Sequence, residues 1–209
     1  MMRGHRHPWA DRFGRLPETP SQTAGPYVHI GCAPSFAGID GMYEGGDLGA
    51  GPLRREGHAG EAIAIQGSVF DGTGAPLRDA LLEIWQPDAN GRFAGQEGAD
   101  PAFAGWGRQP TDGETGLYRF ETVRPGRVPW PDGRMQAPHV GLWIVARGIN
   151  LGLYTRIYFE GDPANEEDPL LQRIEHAARL RTLMARNDGS DWHFDVHLQG
   201  ERETVFFEA

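Results

Sequence analysis

The sequence predicts a mainly β protein, an antiparallel β-sandwich with long loops and one C-terminal helix. Short segments rich in β-branched and aromatic residues recur along the chain, and turns containing Gly, Pro, Asp or Asn separate them. Only one later segment has the apolar spacing of a helix. The 209 residues, 39% of them hydrophobic, suffice for a sizeable core. We therefore expect an N-terminal arm over residues 1–15 and a single domain over residues 16–209.

The composition and net charge of the chain argue against several classes of function. A formal net charge of −9 argues against nucleic-acid or anionic-membrane partners, because both are bound through clustered positive charge. No apolar run reaches the roughly 20 residues needed to span a bilayer, and the N-terminus lacks the apolar centre of a secretory signal. A cytoplasmic protein is expected. Cys32 is the single cysteine, so no disulfide can form within the chain.

The N-terminal part of the predicted domain is punctuated by proline and glycine. In residues 16–31, three prolines and two glycines argue against a regular helix, and Thr23 with Gly25-Pro26 predicts a sharp turn before an extended Tyr27–Ile30. Residues 36–60 are rich in glycine and have no apolar period. They are expected to form a long surface loop.

Strands are predicted by alternating or continuous apolar runs. The first begins after Glu61 and places Ile63, Ile65, Gly67 and Val69 on one face. Residues 95–107 lack such a pattern and are predicted to be a loop. The other predicted strands are, in order, Ala80–Gln86, Leu117–Val123, Val140–Ala146, Leu153–Phe159, Trp192–Gln199 and Thr204–Phe207.

The single predicted helix begins at Asp168-Pro169 and continues through Ala185. Asp can cap a helix, Pro suits its first turn, and an apolar stripe follows from Leu170 onwards. Two polar residues in strands also invite functional interpretations. Glu83 is expected to be structural, since no second carboxylate is placed to pair with it. His139 lies where a loop meets a strand, a position that is rigid on one side and open on the other.

The segment around His139 resembles the metal-binding segment of the intradiol ring-cleaving dioxygenases. Catalytic members hold ferric iron with two tyrosines and two histidines, in a Pro-Tyr-Pro-Trp loop and an Ala-His-Ile-His strand. Here the loop reads Arg-Val-Pro-Trp and the strand Ala-Pro-His-Val-Gly, so Val128 and Gly141 replace a tyrosine and a histidine. The other tyrosine position follows an Asn-Gly turn and holds Phe93.

The resemblance therefore implies a member of the family without its metal. Only His139 remains of the four ligands, and ferric iron needs several oxygen or imidazole donors at fixed geometry. No metal ligand and no catalytic residue are predicted in this chain. By the resemblance, Fe(III) is bound by a homologous beta subunit in a higher-order alpha–beta oligomer, and the assembled enzyme cleaves protocatechuate with O2.

The resemblance also implies a substrate-binding contribution from this chain. The Pro-Glu-Thr-Pro-Ser-Gln-Thr-Ala-Gly-Pro-Tyr segment matches the N-terminal signature of the family, which lies over the partner's active site. Thr23, Gly25, Pro26 and Tyr27 are the candidate wall residues. Arg147 ends an apolar run in an Ala-Arg-Gly-Ile-Asn motif, and its guanidinium could bind the substrate carboxylate or form a structural ion pair.

Two alternatives remain open from the sequence. His193, Asp195 and His197 alternate on the polar face of the predicted last long strand and could hold a metal in a stand-alone enzyme. The chain could also be a non-catalytic binding or scaffold module with a transthyretin-like sandwich. The resemblance gives no ligand role to that strand, which favours the subunit interpretation.

Overall fold

The structure is a computed structural model that describes residues 22–189 and 191–208. The predicted arm over residues 1–15, and residues 16–21 of the predicted domain, lie outside these described residues. Most of the chain from residue 62 onwards forms strands joined by loops. No described helix is long and apolar enough to cross a membrane.

The first long strand pair confirms the predicted alternation. Strand β1 (Ala62–Phe70) pairs antiparallel with β4 (Leu117–Val123), with Ile65 opposite Phe120 and Gly67 opposite Tyr118. Ile65, Val69, Tyr118 and Phe120 are buried. Their burial follows from the two-residue period, which places every second side chain of each strand on the core face.

Four further strands form an antiparallel group. They are β2 (Leu81–Trp85), β3 (Trp106–Pro110), β5 (His139–Val145) and β6 (Leu153–Phe159), in the order β3-β2-β5-β6. Strand β3 begins in the last two residues of the loop predicted over residues 95–107 and continues to Pro110, where no strand was predicted. The prediction failed there because β3 has few apolar residues, and pairing with β2 rather than side-chain pattern makes it a strand.

The C-terminal strands join the two groups, and they correct the predicted topology. These are β7 (Met184–Asn187), β8 (Trp192–His193) and β9 (Val196–His197). β7 runs parallel to β6, while β8 and β9 run parallel to β1. One hydrogen-bonded path, β3-β2-β5-β6-β7-β8-β1-β4, with β9 added at β1, replaces the predicted antiparallel sandwich.

The ends of this path, β3 and β4, also contact each other, so the mixed sheet is nearly closed. Its interior is the main core, to which most strands contribute. The core includes Ile63, Ile65, Leu82, Ile84, Phe120, Leu142, Ile144, Ile157, Phe159 and Phe194. The fold class is thus mainly β, as predicted, but with a mixed, barrel-like arrangement of strands.

Two predicted strands differ in extent. The segment predicted as one strand over Trp192–Gln199 is interrupted between β8 and β9, although Trp192, Phe194 and Val196 are buried as its alternation requires. The predicted closing strand over Thr204–Phe207 is reduced to a single bridge between Phe207 and Tyr154.

The helices also differ from the predictions. Helix α1 covers Pro26–Cys32, where an extended segment was predicted after the turn. Proline is compatible with this helix because it occupies the first turn, where its missing N–H has no helical acceptor. Residues 36–60 contain no strand and almost no helix, as expected for the long loop.

The predicted C-terminal helix is broken into short pieces. A 3₁₀ turn at Leu171–Arg173 is followed by extended backbone at Ile174 and His176, and helix α2 covers only Ala177–Leu180. The apolar residues of this segment instead complete a second core around Tyr158 and Ala137, to which Leu171 and Leu183 contribute. Tertiary packing therefore overrides the helical spacing.

Candidate functional site

The four positions aligned with iron ligands meet in one cavity. Phe93, Val128, His139 and Gly141 all line a cavity of about 340 Å³ beside the ends of β2, β5 and β6. These residues come from three separate parts of the chain. By the resemblance, catalytic members of the family hold a metal at these positions; the side chains present here determine what this cavity can do.

Phe93 is positioned by the turn before it. The carboxylate of Asp88 accepts hydrogen bonds from Asn90 N at 2.8 Å and Arg92 N at 3.0 Å, which closes the turn. Gly91 has a positive φ of 78°, and a Cβ there would lie 2.1 Å from the carbonyl oxygen of Arg127. The turn therefore requires glycine and directs the Phe93 ring against Trp85, with centroids 6.1 Å apart.

His139 lies at the first position of β5 and is 7% exposed. Its Nδ1 is 2.8 Å from the carbonyl oxygen of Ala137. Burial, and then the nearby Arg156 guanidinium, lower the pKa of His139 to about 4. The imidazole is therefore neutral near pH 7, with Nδ1 as the donor to Ala137.

The second histidine position is closed by a neighbouring tyrosine. A Cβ on Gly141 would lie 3.0 Å from the Tyr154 hydroxyl and 3.2 Å from the Trp85 carbonyl oxygen. Arg156 lies directly opposite Gly141 in the β5–β6 pair and lines the same cavity. An aromatic ring and a guanidinium therefore occupy the surroundings in which a second imidazole would have to fit.

The cavity does not fit a ferric ion. Phenylalanine, valine and glycine offer no ligand atom in their side chains, and Arg156 adds a positive charge to the wall. Over residues 22–189 and 191–208, no group of three or more His, Cys, Asp or Glu side chains has a metal-binding arrangement.

None of the residues predicted to form a substrate wall lines this cavity. Thr23 Oγ1 accepts a hydrogen bond from Gly148 N at 2.8 Å, so the N-terminal turn is attached to the segment after β5. Gly25 and Arg147 line a shallow cavity of about 260 Å³ there. Pro26 begins helix α1 and the Tyr27 side chain is 85% exposed. Of the five predicted residues, Gly25 and Arg147 thus share one cavity, and the hydrogen bond from Gly148 N holds Thr23 next to Arg147 in the chain.

Arg147 forms an ion pair within the chain. Its Nε contacts Asp79 Oδ2, while 71% of the Arg147 side chain is exposed. Arg147 is therefore paired within the chain while most of its side chain remains accessible to solvent. Such an exposed pair contributes little to stability, which leaves Arg147 available for a ligand.

Sequence reasoning missed Asp79 and His29 in the cavity that Arg147 lines. Asp79 precedes β2 and His29 lies in α1, and both line the cavity with Arg147. His29 is 9% exposed, and burial lowers its pKa while Asp79 opposes that shift. Asp79 Oδ1 and His29 Nε2 are buried and have no hydrogen-bond partner among the described residues. No sequence motif marks either residue.

Each of the three residues of the alternative metal site contacts a different partner within the chain. His193 Nε2 is 2.7 Å from Asp188 Oδ2, and Asp195 Oδ1 accepts a hydrogen bond from Ser68 N at 3.0 Å. The His197 ring stacks on Phe70 at a centroid distance of 5.0 Å. All three line one surface cavity, but each has a structural contact of its own. Glu83, likewise, is structural, because it pairs with Arg108 at 2.7 Å.

Comparison with known proteins identifies relatives over nearly the whole chain. The profile of the family described as Dioxygenase matches residues 52–200. The protocatechuate 3,4-dioxygenase alpha chain of Pseudomonas putida is 43% identical over 198 residues, covering 92% of this chain and 97% of the relative. The alpha chain of Burkholderia cepacia is 39% identical over 93% of this chain and 98% of its own length.

The beta chain of the Burkholderia cepacia enzyme is also similar, with 36% identity over 69% of this chain and 67% of its own. Among solved structures, the dioxygenase domain of a Streptomyces carbohydrate-binding fusion protein gives a TM-score of 0.53 at 26% identity, covering 80% of this chain and 96% of that one. The structure of catechol 1,2-dioxygenase from Pseudomonas arvilla C-1 gives a TM-score of 0.58 at 24% identity, covering 73% of this chain and 56% of that one. This similarity supports the fold alone. This chain belongs to the family of intradiol ring-cleaving dioxygenases.

Proposed function

We propose that this chain is the non-iron-binding alpha subunit of a protocatechuate 3,4-dioxygenase. The observation that carries the proposal is the cavity in which Phe93, Val128 and Gly141 stand at three of the four ligand positions. The alpha chains at 43% and 39% identity support the same assignment over almost their full lengths.

The proposed activity belongs to an assembly of two kinds of chain. A homologous beta subunit holds Fe(III), and the complex forms a higher-order alpha–beta oligomer. The enzyme inserts both atoms of O2 between the two hydroxyl-bearing carbons of protocatechuate and releases 3-carboxy-cis,cis-muconate. The role of the present chain is to bind the partner and to complete the pocket around the aromatic substrate.

Purification of the chain with and without its partner tests this proposal. Expressed alone, the chain is expected to be colourless, to contain far less than one iron per polypeptide, and to consume no oxygen with protocatechuate. The physical reason is the missing ligand set, since a tyrosinate-to-iron absorption band requires tyrosine ligands. Co-expressed with a homologous chain that carries two tyrosines and two histidines, it is expected to give a coloured, active complex.

The control for folding is circular dichroism of the chain purified alone, which separates an inactive folded subunit from an unfolded one. An iron content near one per chain, together with oxygen consumption in the absence of a partner, would contradict the assignment. Iron analysis by mass spectrometry and oxygen uptake are therefore measured on the same preparation.

We further propose that Thr23, Gly25, Pro26, Tyr27 and Arg147 form one wall of the substrate pocket at the boundary with the partner. The hydrogen bond from Gly148 N to Thr23 links the two segments. The exposure of the Tyr27 and Arg147 side chains leaves both available to a neighbouring chain and its ligand. In this arrangement the Arg147 guanidinium faces the substrate carboxylate.

Replacement of Arg147 with alanine in the assembled enzyme is expected to reduce kcat/KM for protocatechuate by about 10- to 100-fold, because a charge-assisted hydrogen bond to the carboxylate is lost. Catechol has the same two hydroxyls but no carboxylate, so its kcat/KM should stay close to the wild-type value. Steady-state oxygen uptake with both substrates measures the difference.

The matched control is Arg55→Ala, which removes an exposed arginine from a different loop. Equal losses for protocatechuate and catechol in Arg147→Ala would indicate a structural ion pair with Asp79 instead. Unchanged kinetics for both substrates would remove Arg147 from the proposed pocket.

A further inference from the structure

The cavity that contains the four metal-ligand positions carries a positive charge. Arg156 projects from β6 opposite Gly141 and lines the cavity together with His139 and Tyr154. His139 is neutral near pH 7, since its pKa is lowered to about 4. No Asp or Glu is among the residues that line the cavity. Arg156 therefore determines its charge.

The guanidinium of Arg156 is only partly satisfied. Nη1 donates to Gln136 Oε1 at 2.7 Å and more weakly to the Tyr158 hydroxyl at 3.4 Å. The Tyr154 hydroxyl also interacts with the guanidinium, and Cζ of Arg156 lies 6.0 Å from the centroid of the Trp130 ring. Nε is buried and has no hydrogen-bond partner among the described residues. A guanidinium has five N–H donors, so this geometry leaves donors without acceptors.

The charge of Arg156 also lacks a carboxylate partner in the part of the chain that the structure describes. Eight other arginines pair with Asp or Glu, at residues 54, 108, 119, 124, 127, 134, 147 and 179. Asp168 is reached only through the Tyr158 hydroxyl, and Asp168 already accepts hydrogen bonds from three backbone N–H groups. A half-buried cation without a counter-ion favours binding of an anion.

The shape of the cavity suits a small aromatic anion. Val128, Gln136 and His139 are buried lining residues, while the lining ring of Phe93 is half-buried and that of Trp85 is 50% exposed. Aromatic rings form favourable offset or edge contacts with a further ring. The volume of about 340 Å³ lies at the small end of the range of ligand pockets.

We propose that this cavity is a binding site for a single-ring aromatic carboxylate, with the carboxylate on Arg156 and the ring against Trp85 and Phe93. The guanidinium fork matches a carboxylate in two parallel hydrogen bonds. The site is built entirely from this chain, so it is distinct from the proposed Arg147 wall and does not depend on the proposed function. In this site, Arg156 and the aromatic rings bind the ligand, and no metal ion is needed.

The test uses the full chain in the form in which it purifies, including any partner, and 4-iodobenzoate as the probe. In crystals grown with the probe, the anomalous signal of iodine should lie in the cavity beside Trp85 and Phe93, with the carboxylate directed at Arg156. In solution, equilibrium dialysis should detect saturable binding with a Kd on the order of 1 mM or tighter. Arg156→Met should weaken this binding by about tenfold or more.

Two controls make the result specific to the charge of Arg156. Arg173→Met removes another arginine that contacts Trp130, 5.3 Å from its ring centroid, but does not line the cavity, and it should leave binding unchanged. 4-Iodobenzamide has the same ring without the charge and should not occupy the wild-type cavity. This ligand control applies even if Arg156→Met fails to fold.

Three outcomes would overturn the proposal. The first is an empty cavity in the wild-type protein at about 10 mM 4-iodobenzoate, well above the expected Kd. The second is equal occupancy by 4-iodobenzoate in wild type and Arg156→Met. The third is equal occupancy of the wild-type cavity by 4-iodobenzamide.

Discussion

Replacing Asp168 with alanine is expected to lower the free energy of unfolding by about 3–5 kcal/mol. Asp168 is fully buried, and its carboxylate accepts hydrogen bonds from Ala137 N at 2.8 Å, Leu170 N at 2.8 Å and Leu171 N at 2.9 Å. Alanine would leave these backbone donors buried without an acceptor. Because Ala137 lies just before β5, the same change should also loosen the position of His139.

Urea denaturation of the wild-type chain and Asp168→Ala measures this effect. The matched control is Glu175→Ala, since Glu175 is an exposed carboxylate in the same C-terminal segment and should leave the midpoint nearly unchanged. If Asp168→Ala lowers the free energy of unfolding by less than about 1 kcal/mol, water replaces the carboxylate, and the site is less enclosed than its burial indicates.

Replacing Gly67 with alanine is expected to destabilise the fold by about 3 kcal/mol or more. A Cβ at this position would lie 2.0 Å from the Phe194 carbonyl oxygen and 2.6 Å from its carbonyl carbon. That oxygen also accepts a hydrogen bond from the buried Tyr118 hydroxyl at 2.5 Å. The methyl group would therefore push the segment between β8 and β9 away from β1.

Gly51→Ala is the control for this substitution, because a Cβ at Gly51 has no neighbour within 4 Å and its φ is not positive. Thermal unfolding should give a clearly lower Tm for Gly67→Ala and a nearly unchanged Tm for Gly51→Ala. Similar Tm values for the two variants would show that the backbone around Phe194 moves aside at little cost.

The strand that contains Gly67 indicates where sequence reasoning succeeds. The alternation around Gly67 predicted β1 within one residue of its observed bounds, and the strands at Leu117–Val123 and Leu153–Phe159 were predicted with the bounds that the structure has. The resemblance of short motifs also placed Phe93, Val128, His139 and Gly141 at one functional position, and the structure brings them into one cavity.

The C-terminal segment indicates where such reasoning fails. Asp168 was expected to cap a helix, and it does accept hydrogen bonds from Leu170 and Leu171, but only a 3₁₀ turn follows. The apolar spacing is consistent with a helix and equally with a chain that packs Leu171 and Leu183 around Tyr158. Local spacing cannot distinguish these outcomes, since the choice depends on residues distant in the sequence.

By itself, the sequence determined which segments form the main strands and, through the resemblance to a family, that the side chains at three ligand positions offer no atom to bind iron. Both follow from local properties, namely the two-residue period of strands and the identity of donor atoms. Only the tertiary structure decided the parallel pairing of β7, β8 and β9, the pairing of Arg147 with Asp79, and the entry of Arg156 into the cavity. These depend on contacts between residues far apart in the chain, which no local pattern records.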